Sequence, residues 1–403
     1  MISVKSAPRW LSIANALIGA LFILPIIMLF YGYKGVSMGD FFLIQGICSL
    51  GIFLFEIPTG YIGDIFSRKN TLIIGTLIWI IGYLFWIFGS GFWIIMTGEI
   101  LFSLAISLIT GTLEAYLYDL LKKRHKEAAF HKKFAKLKML DNIALTISTL
   151  TGAFIYQFFG ETTPLWVSIF CLMGTVIILF LLPDVPESKR IVAKDKSKWQ
   201  DILDISKYAI RHSELKWLMI FPAVYGMLTL VLMWGLQSVM VFRELPIFMF
   251  SVVMGANAFL RAFWSGVSGK ILEKINLSGI IKLQCLIIIL ATTGSCIVVY
   301  VPQQMVYLCL FLMMMASSSV VLSKISTSVL INHRIKSDER ATVLSVGSMV
   351  DRIFCALAMI ALKPLFDSIG VGQTFMVSAL LLIPILICAR HLYKLKLRTM
   401  KET

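Results

Sequence analysis

Charge is what this sequence has least of. Asp, Glu, Lys and Arg make up 15% of its 403 residues, where a soluble globular domain carries about a quarter. Acidic residues are the scarcest, 22 against 37 Lys and Arg, while 58% of the chain is hydrophobic. That shortage of polar surface excludes disordered, secreted and ordinary cytosolic classes. The seven cysteines form no CxxC pair, so neither a disulfide frame nor a zinc site is expected. The sequence has no HExxH, no GxSxG and no Gly-rich nucleotide loop ending in Lys, which removes the common metalloprotease, serine-hydrolase and ATP-driven designs. No enzyme, and no metal or organic cofactor, is expected.

What is present is apolar residues in blocks, and the ~20 residues that a membrane helix needs are met repeatedly. Twelve spans are predicted, near 10–32, 40–63, 71–89, 92–118, 139–159, 163–182, 216–242, 246–269, 279–300, 303–331, 341–366 and 372–393. The fold class is therefore all-α integral membrane. The first apolar run is too long for a signal peptide and leads into Tyr31-Gly32-Tyr33, so no cleavage is expected.

The net charge of +15 would suggest nucleic acid in a soluble protein, but its distribution points elsewhere. With the N-terminus inside, all but six of the 37 Lys and Arg fall on the cytoplasmic side. Lys34, Arg243 and Lys363 fall outside, and Arg261, Lys324 and Arg352 lie within spans. This is the positive-inside pattern. Both termini are expected in the cytoplasm, and no nucleic-acid partner is expected.

The longest polar interruption divides the spans six and six, giving an N-terminal bundle over 1–182, a linker over 183–215 and a C-terminal bundle over 216–403. Within the linker, Trp199, Ile202, Leu203, Ile210 and Leu215 recur at helical spacing among charges, as in a helix lying in the interface plane. Lys122 to Lys138 is a second basic stretch, read as a topological anchor that also suits anionic headgroups. A faint internal echo lays Gly60 to Lys69 over Gly266 to Ile275, with Asp64 opposite Lys270. Such parallel repeats are a plan of secondary transporters.

The segment Gly60-Tyr61-Ile62-Gly63-Asp64-Ile65-Phe66-Ser67-Arg68-Lys69 resembles the signature loop between helices 2 and 3 of the major facilitator superfamily. Gly60, Gly63, Asp64, Arg68 and Lys69 fit its pattern, while Ile65 and Ser67 depart from it. The end of span 4, Gly111 to Asp119, and the lead-in to span 11, Glu339 to Ser345, also resemble bacterial members. The resemblance implies two six-helix bundles and alternating access. It also implies a cytoplasmic gate in which Asp119 is the acidic partner of the loop. The antiporter marks of drug exporters, an Arg in span 4 and a Gly-Pro in span 5, are missing: span 5 has Thr151-Gly152-Ala153.

Ionisable residues at membrane depth are costly and therefore functional candidates. Glu56 lies roughly 12 Å inside span 2 at helical rise, and Glu114 lies near the same end of span 4. The second half contributes Arg261, Lys324, Asp351 and Arg352. The two acids either carry a coupling proton or belong to the gate, and the deep charges of the two halves have the signs to pair with each other. Glu99, near the outer end of span 4, is expected to meet water or headgroups. Asn15, Gln45, Gln237 and Asn257 either bind a ligand or join helices; Trp79, Trp86, Trp234 and Trp264 either line a cavity or anchor at the interface.

The expected function is secondary active transport in a bacterial inner membrane by a monomer, with the lipid bilayer and a small-molecule substrate as partners. A drug-like efflux of hydrophobic or amphipathic compounds, driven by a proton or ion gradient, fits the Met- and aromatic-rich composition. A transporter of a siderophore, sugar, amino acid or lipid shares the architecture, and a membrane-embedded lipid-modifying enzyme is the alternative of another class. Asp64→Asn should abolish transport while leaving expression intact; unchanged flux in vesicles would contradict the gate assignment.

Overall fold

A computed structural model describes residues 2–65, 67–185, 213–334 and 340–399. Side chains are described throughout these except at 57–65, 213–214, 277, 332–334, 340–342, 344–345 and 394–399. Among the described residues there is no strand, as hydrocarbon demands of a chain that satisfies its backbone within each segment. The helices are α1 (Ala7–Ile18), α2 (Ile27–Tyr33), α3 (Met38–Ile65), α4 (Arg68–Phe88), α5 (Phe92–Lys122), α6 (Phe130–Phe159) and α7 (Thr163–Leu181). They continue with α8 (Ser213–Phe242), α9 (Ile247–Lys274), α10 (Leu277–Ile297), α11 (Gln303–Arg334), α12 (Arg340–Ser378) and α13 (Leu382–Thr399). Ten stretches of the described residues are long and apolar enough to cross a membrane.

One of the expected spans is not a continuous helix, and one break falls where a loop between spans was expected. The first span is broken between α1 and α2, where Gly19 ends one helix and a short 3₁₀ turn carrying Pro25 starts the other. The apolar run Val346–Tyr393, at 48 residues, is longer than one crossing requires. Gly370 interrupts it with φ 77° and ψ −179°, a conformation open to glycine because it has no Cβ. The linker expected over 183–215 falls mostly outside the described residues, at 186–212.

By contacts the chain divides into Met1–Ile191 with Pro246–Gly255, and Val192–Leu245 with Ala256–Thr403. In the first unit α5 packs against α3 and α4, α1 packs against α6 and α7, and α4 meets α7. In the second, α8 is central, touching α11, α12 and α13, while α10 packs on α11. Trp264, Ile280 and Leu322 knit α9, α10 and α11 into one apolar cluster. Apolar faces left outward suit lipid. Phe158, Phe170, Phe259 and Leu380 are each at least 61% exposed, which in water would be an aggregation liability.

A structural repeat is far sharper than the sequence echo. Lys34 ends α2, and its backbone N–H donates to Phe30 O while that of Val36 reaches back to Tyr31 O; Gly35 sits at φ 78°. Arg243 ends α8 in the same way: its N–H donates to Val239 O, that of Leu245 reaches Met240 O, and Glu244 sits at φ 48°. Both are left-handed helix caps that satisfy terminal carbonyls. Each cation then caps a second helix. Lys34 Nζ donates to Ile87 O at 2.8 Å at the end of α4, and Arg243 donates to Val299 O and Val301 O at 3.2 and 2.9 Å just beyond α10.

The next helix starts repeat too. Ser67 caps α4 by accepting from Asn70 N–H, and Asn276 caps α10 by accepting from Gly279 N–H. Pairing 34 with 243 and 67 with 276 is one ungapped register. Within it α3 and α9 are both 28 residues long, and α4 and α10 both 21. That register corrects the echo, because Gly60 falls opposite Gly269 rather than Gly266, and Asp64 opposite Glu273 rather than Lys270.

Lys34 is only 7% exposed, and its ammonium lies 5.7 and 5.5 Å from the Phe30 and Tyr33 ring centres. Desolvation lowers its pKa from the ordinary lysine value. A hydrogen bond from a charged donor contributes about 1.5–3 kcal/mol. Lys34→Met and Arg243→Met should therefore each lower the unfolding midpoint in detergent. Lying in separate units, their effects should add in the double variant, and sub-additive losses would show that the two caps are coupled.

Candidate functional site

The loop residues that the structure describes form an ionic latch. Arg68, the first residue of α4, places Nε 3.0 Å from Asp119 Oδ2, with Asp119 only 2% exposed. Lys69 donates to Leu182 O at 2.9 Å and lies 3.6 Å from Asp184, which is itself exposed. Tyr116 donates to Pro183 O at 2.6 Å. The start of α4, the end of α5 and the end of α7 are thus tied at one end of the first unit. Removing one partner of so buried a pair costs about 3–5 kcal/mol. Gly60, Gly63 and Asp64 lie in the last turns of α3, and their surroundings are outside the described residues.

The deep ionisable candidates scatter. Glu56 is half-buried in α3 and Glu114 is exposed on α5. Arg261 is exposed on α9 and approaches Met233 Sδ at 3.8 Å. Lys324 on α11 meets Asp351 on α12 at 2.8 Å, with Arg352 half-buried beside it. This pair lies within the second unit, so these two charges are satisfied locally rather than across the two halves. Asp351 packs close to Gly226 of α8, where an added Cβ would come within 2.5 Å of its Oδ1, and it faces the Cys355 thiol at 3.9 Å.

Of the polar candidates Asn15, Gln237 and Asn257 are buried and Gln45 is half-buried, and most of them join helices. Asn15 faces Asp141 of α6, an acid not singled out from the sequence. Asn257 accepts from Ser317 Oγ at 2.7 Å, and Gln237 is fully buried in α8. The four tryptophans are at most 7% exposed, and none lines the cavity described next. Trp79 and Trp86 instead stack in an aromatic layer with Tyr31, Tyr83 and Phe102.

That cavity, about 480 Å³, lies in the second unit between α8, α11 and α12. Its walls are apolar around Leu218, Met219 and Val329, and its polar groups are Lys324, Asp351 and the hydroxyls of Thr327, Ser328 and Ser348. A cavity of 300–1,000 Å³ with few placed polar groups is the usual form of a small-molecule site.

Glu99 corrects the expectation of an exposed residue. It is 2% exposed, and its Oε1 accepts from Tyr31 Oη at 2.5 Å and from Gln45 Nε2 at 2.8 Å. Depth along the chain misleads here, because Glu99 sits about 10 Å from the first residue of α5 yet faces α2 and α3 rather than the surface. Gln45 lies as far into α3 as Glu99 does into α5, and that match of depths is the sequence signal for the contact.

The sequence profile of the Major Facilitator Superfamily matches residues 10–359. The chain belongs to that superfamily. An uncharacterised transporter of Buchnera aphidicola subsp. Acyrthosiphon pisum is 26% identical over 44% of this chain and 44% of its own length. One of Buchnera aphidicola subsp. Schizaphis graminum is 27% identical over 41% and 42%. The aligned part thus spans less than half of these relatives.

Among solved structures, the nucleoside transporter NupG superposes with TM-score 0.77 at 14% identity, covering 98% of this chain and 99% of that one. A bacterial homologue of the human lysosomal transporter Spinster, in an inward-facing and unoccupied conformation, gives 0.71 at 14% over 97% and 98%. The POT family transporter PepTSo gives 0.70 at 14% over 98% and 99%. Relatives and neighbours are transporters, and this superfamily member is not an enzyme. It is a multi-span membrane protein.

Asp119→Asn should leave Arg68 without its counter-charge. Transport in vesicles should fall at least tenfold while the protein still inserts, and Arg68→Lys, which keeps the charge, should retain part of the flux. Full activity in Asp119→Asn would remove the latch from the mechanism.

Proposed function

We propose that this superfamily member is a proton-coupled exporter of small hydrophobic or amphipathic compounds, working by alternating access. The observation that carries the reading is the cavity of about 480 Å³ in the second unit, apolar over most of its wall with one Lys324–Asp351 pair. An amphipathic solute fits such a lining: its apolar body replaces water against Leu218, Met219 and Val329, and its polar end meets the pair or the neighbouring hydroxyls. Burial of that body is worth about 25 cal/mol per Å².

The same proposal takes twelve spans, counting the broken first span and the two arms either side of Gly370. It places both termini in the cytoplasm and the bundles at 1–182 and 216–403 about a linker at 183–215. Localisation in a bacterial inner membrane as a monomer, with a proton or ion gradient as energy source, no cofactor and no nucleic-acid partner, completes it. In this reading Arg68 and Asp119 close the cytoplasmic side together with Gly60, Gly63, Asp64 and Lys69, and Glu56 and Glu114 are coupling or gate residues.

A second reading has one specific observation in its favour. The Lys324–Asp351 pair with Thr327, Ser328 and Ser348 supplies both signs of charge and three hydroxyls, which also suits a charged metabolite that displaces one partner of the pair. A thermal-shift screen of a compound library on purified protein separates the two, with the classes of stabilising compound as readout. Cells expressing the protein should retain less amphipathic dye, and a protonophore should erase the difference. Lys324→Met and Asp351→Asn should each weaken the ligand-induced shift about tenfold or more; a hit that stabilises both variants as well as the parent lies outside this cavity.

A further inference from the structure

The first unit contains a carboxyl whose surroundings the cavity does not explain. Glu99 is enclosed by α2, α3, α4 and its own helix, and the groups that face it are Tyr31, Gln45, Cys48 and Tyr83, with Ser103 one turn along. None of these is a cation, and among the described residues no Lys, Arg or His pairs with Glu99. The contrast with Asp119 is direct, because that carboxylate is as deeply buried but has a guanidinium at 3.0 Å.

The hydrogen bonds supply neutral donors and no counter-charge. Tyr31 Oη and Gln45 Nε2 converge on Oε1, and the Cys48 thiol also hydrogen-bonds the carboxyl. Such donors favour a carboxylate, but all of them are neutral, and among the described residues no cation joins them to offset its burial. The Ser103 hydroxyl does not compensate, since it donates to the backbone oxygens of Glu99 and Cys48. A charge on Glu99 would be held in an apolar interior by neutral dipoles alone, a state that burial strongly disfavours.

We propose that Glu99 is a proton-binding site of the first unit, protonated in the enclosed arrangement and released when water reaches the pocket formed with Tyr31 and Gln45. The place suits that role. Tyr31 is in the last turn of α2, and Glu99 and Gln45 are each about 10 Å along their helices from the loops 34–37 and 89–91. The site therefore lies toward one end of the unit, while Arg68 and Asp119 lie at the other. Tyr31 also stacks edge-on with Trp86 at 5.5 Å, so a change of charge at Glu99 is felt by an indole.

Infrared spectroscopy of the full-length protein in lipid vesicles tests this without a substrate. The parent should show the carbonyl band of a protonated carboxylic acid at neutral pH, losing it as pH rises. Glu99→Gln, which preserves shape and can still accept from Tyr31 and Gln45, should lack that band. A band that persists in Glu99→Gln, or a parent with none at neutral pH, overturns the proposal. If Glu99→Gln does not fold, Tyr31→Phe keeps the carboxyl and removes one donor: the midpoint of the band should move by about one pH unit or more and the Trp86 emission should follow it, whereas an unmoved midpoint overturns the proposal. The proton-coupled export proposed above fails separately, if dye efflux ignores the protonophore while the Glu99 band still titrates.

Discussion

Hydrocarbon offers no partner to a polar group, so every donor, acceptor and charge along these spans must be answered from within the protein. That constraint orders the rest of the structure. It puts the backbone into helices, breaks the first span at glycine and proline, and gives several deep side chains a partner of their own. Asp119 has Arg68, Lys324 has Asp351, and Asn257 has Ser317. Glu99 is answered by neutral donors alone, and the state of its proton follows from that difference.

The two caps show the constraint applied to loops. Lys34 and Arg243 each terminate one helix and supply positive charge to the carbonyl end of another, where the helix dipole is negative. Little else is alike around them: the motifs read Tyr31-Gly32-Tyr33-Lys34-Gly35 and Met240-Val241-Phe242-Arg243-Glu244. The repeated feature is a charge at one backbone position rather than a string of residues. That explains why an echo sought in glycines and acids settled on a neighbouring alignment.

Much of the architecture was legible in the sequence because hydropathy reports it directly, and apolar blocks of helix length read as spans whatever their detailed packing. The positions near Asp119 and Arg68 were legible through family resemblance, since a short signature loop brings its partner with it. Facing was not legible. Glu99 and Glu114 sit on one helix, yet the one nearer the helix start is enclosed and the one far along it is exposed, because facing is set by how α5 packs on α3 and α4. The Lys324–Asp351 pair joins two consecutive helices across 27 residues of sequence, a spacing that no helical periodicity links. Trp79 and Trp86 resembled interface anchors by chemistry alone; packing placed them inside.

One consequence concerns length. The caps at Lys34 and Ser67 bracket α3 just as those at Arg243 and Asn276 bracket α9, and both helices came out at 28 residues. Each residue turns a helix by about 100°, so a single insertion in either would leave both caps intact yet swing every later side chain onto a different neighbour. The bracketed segments act as rulers. Replacing a side chain within them leaves every other residue facing as before, whereas adding one does not.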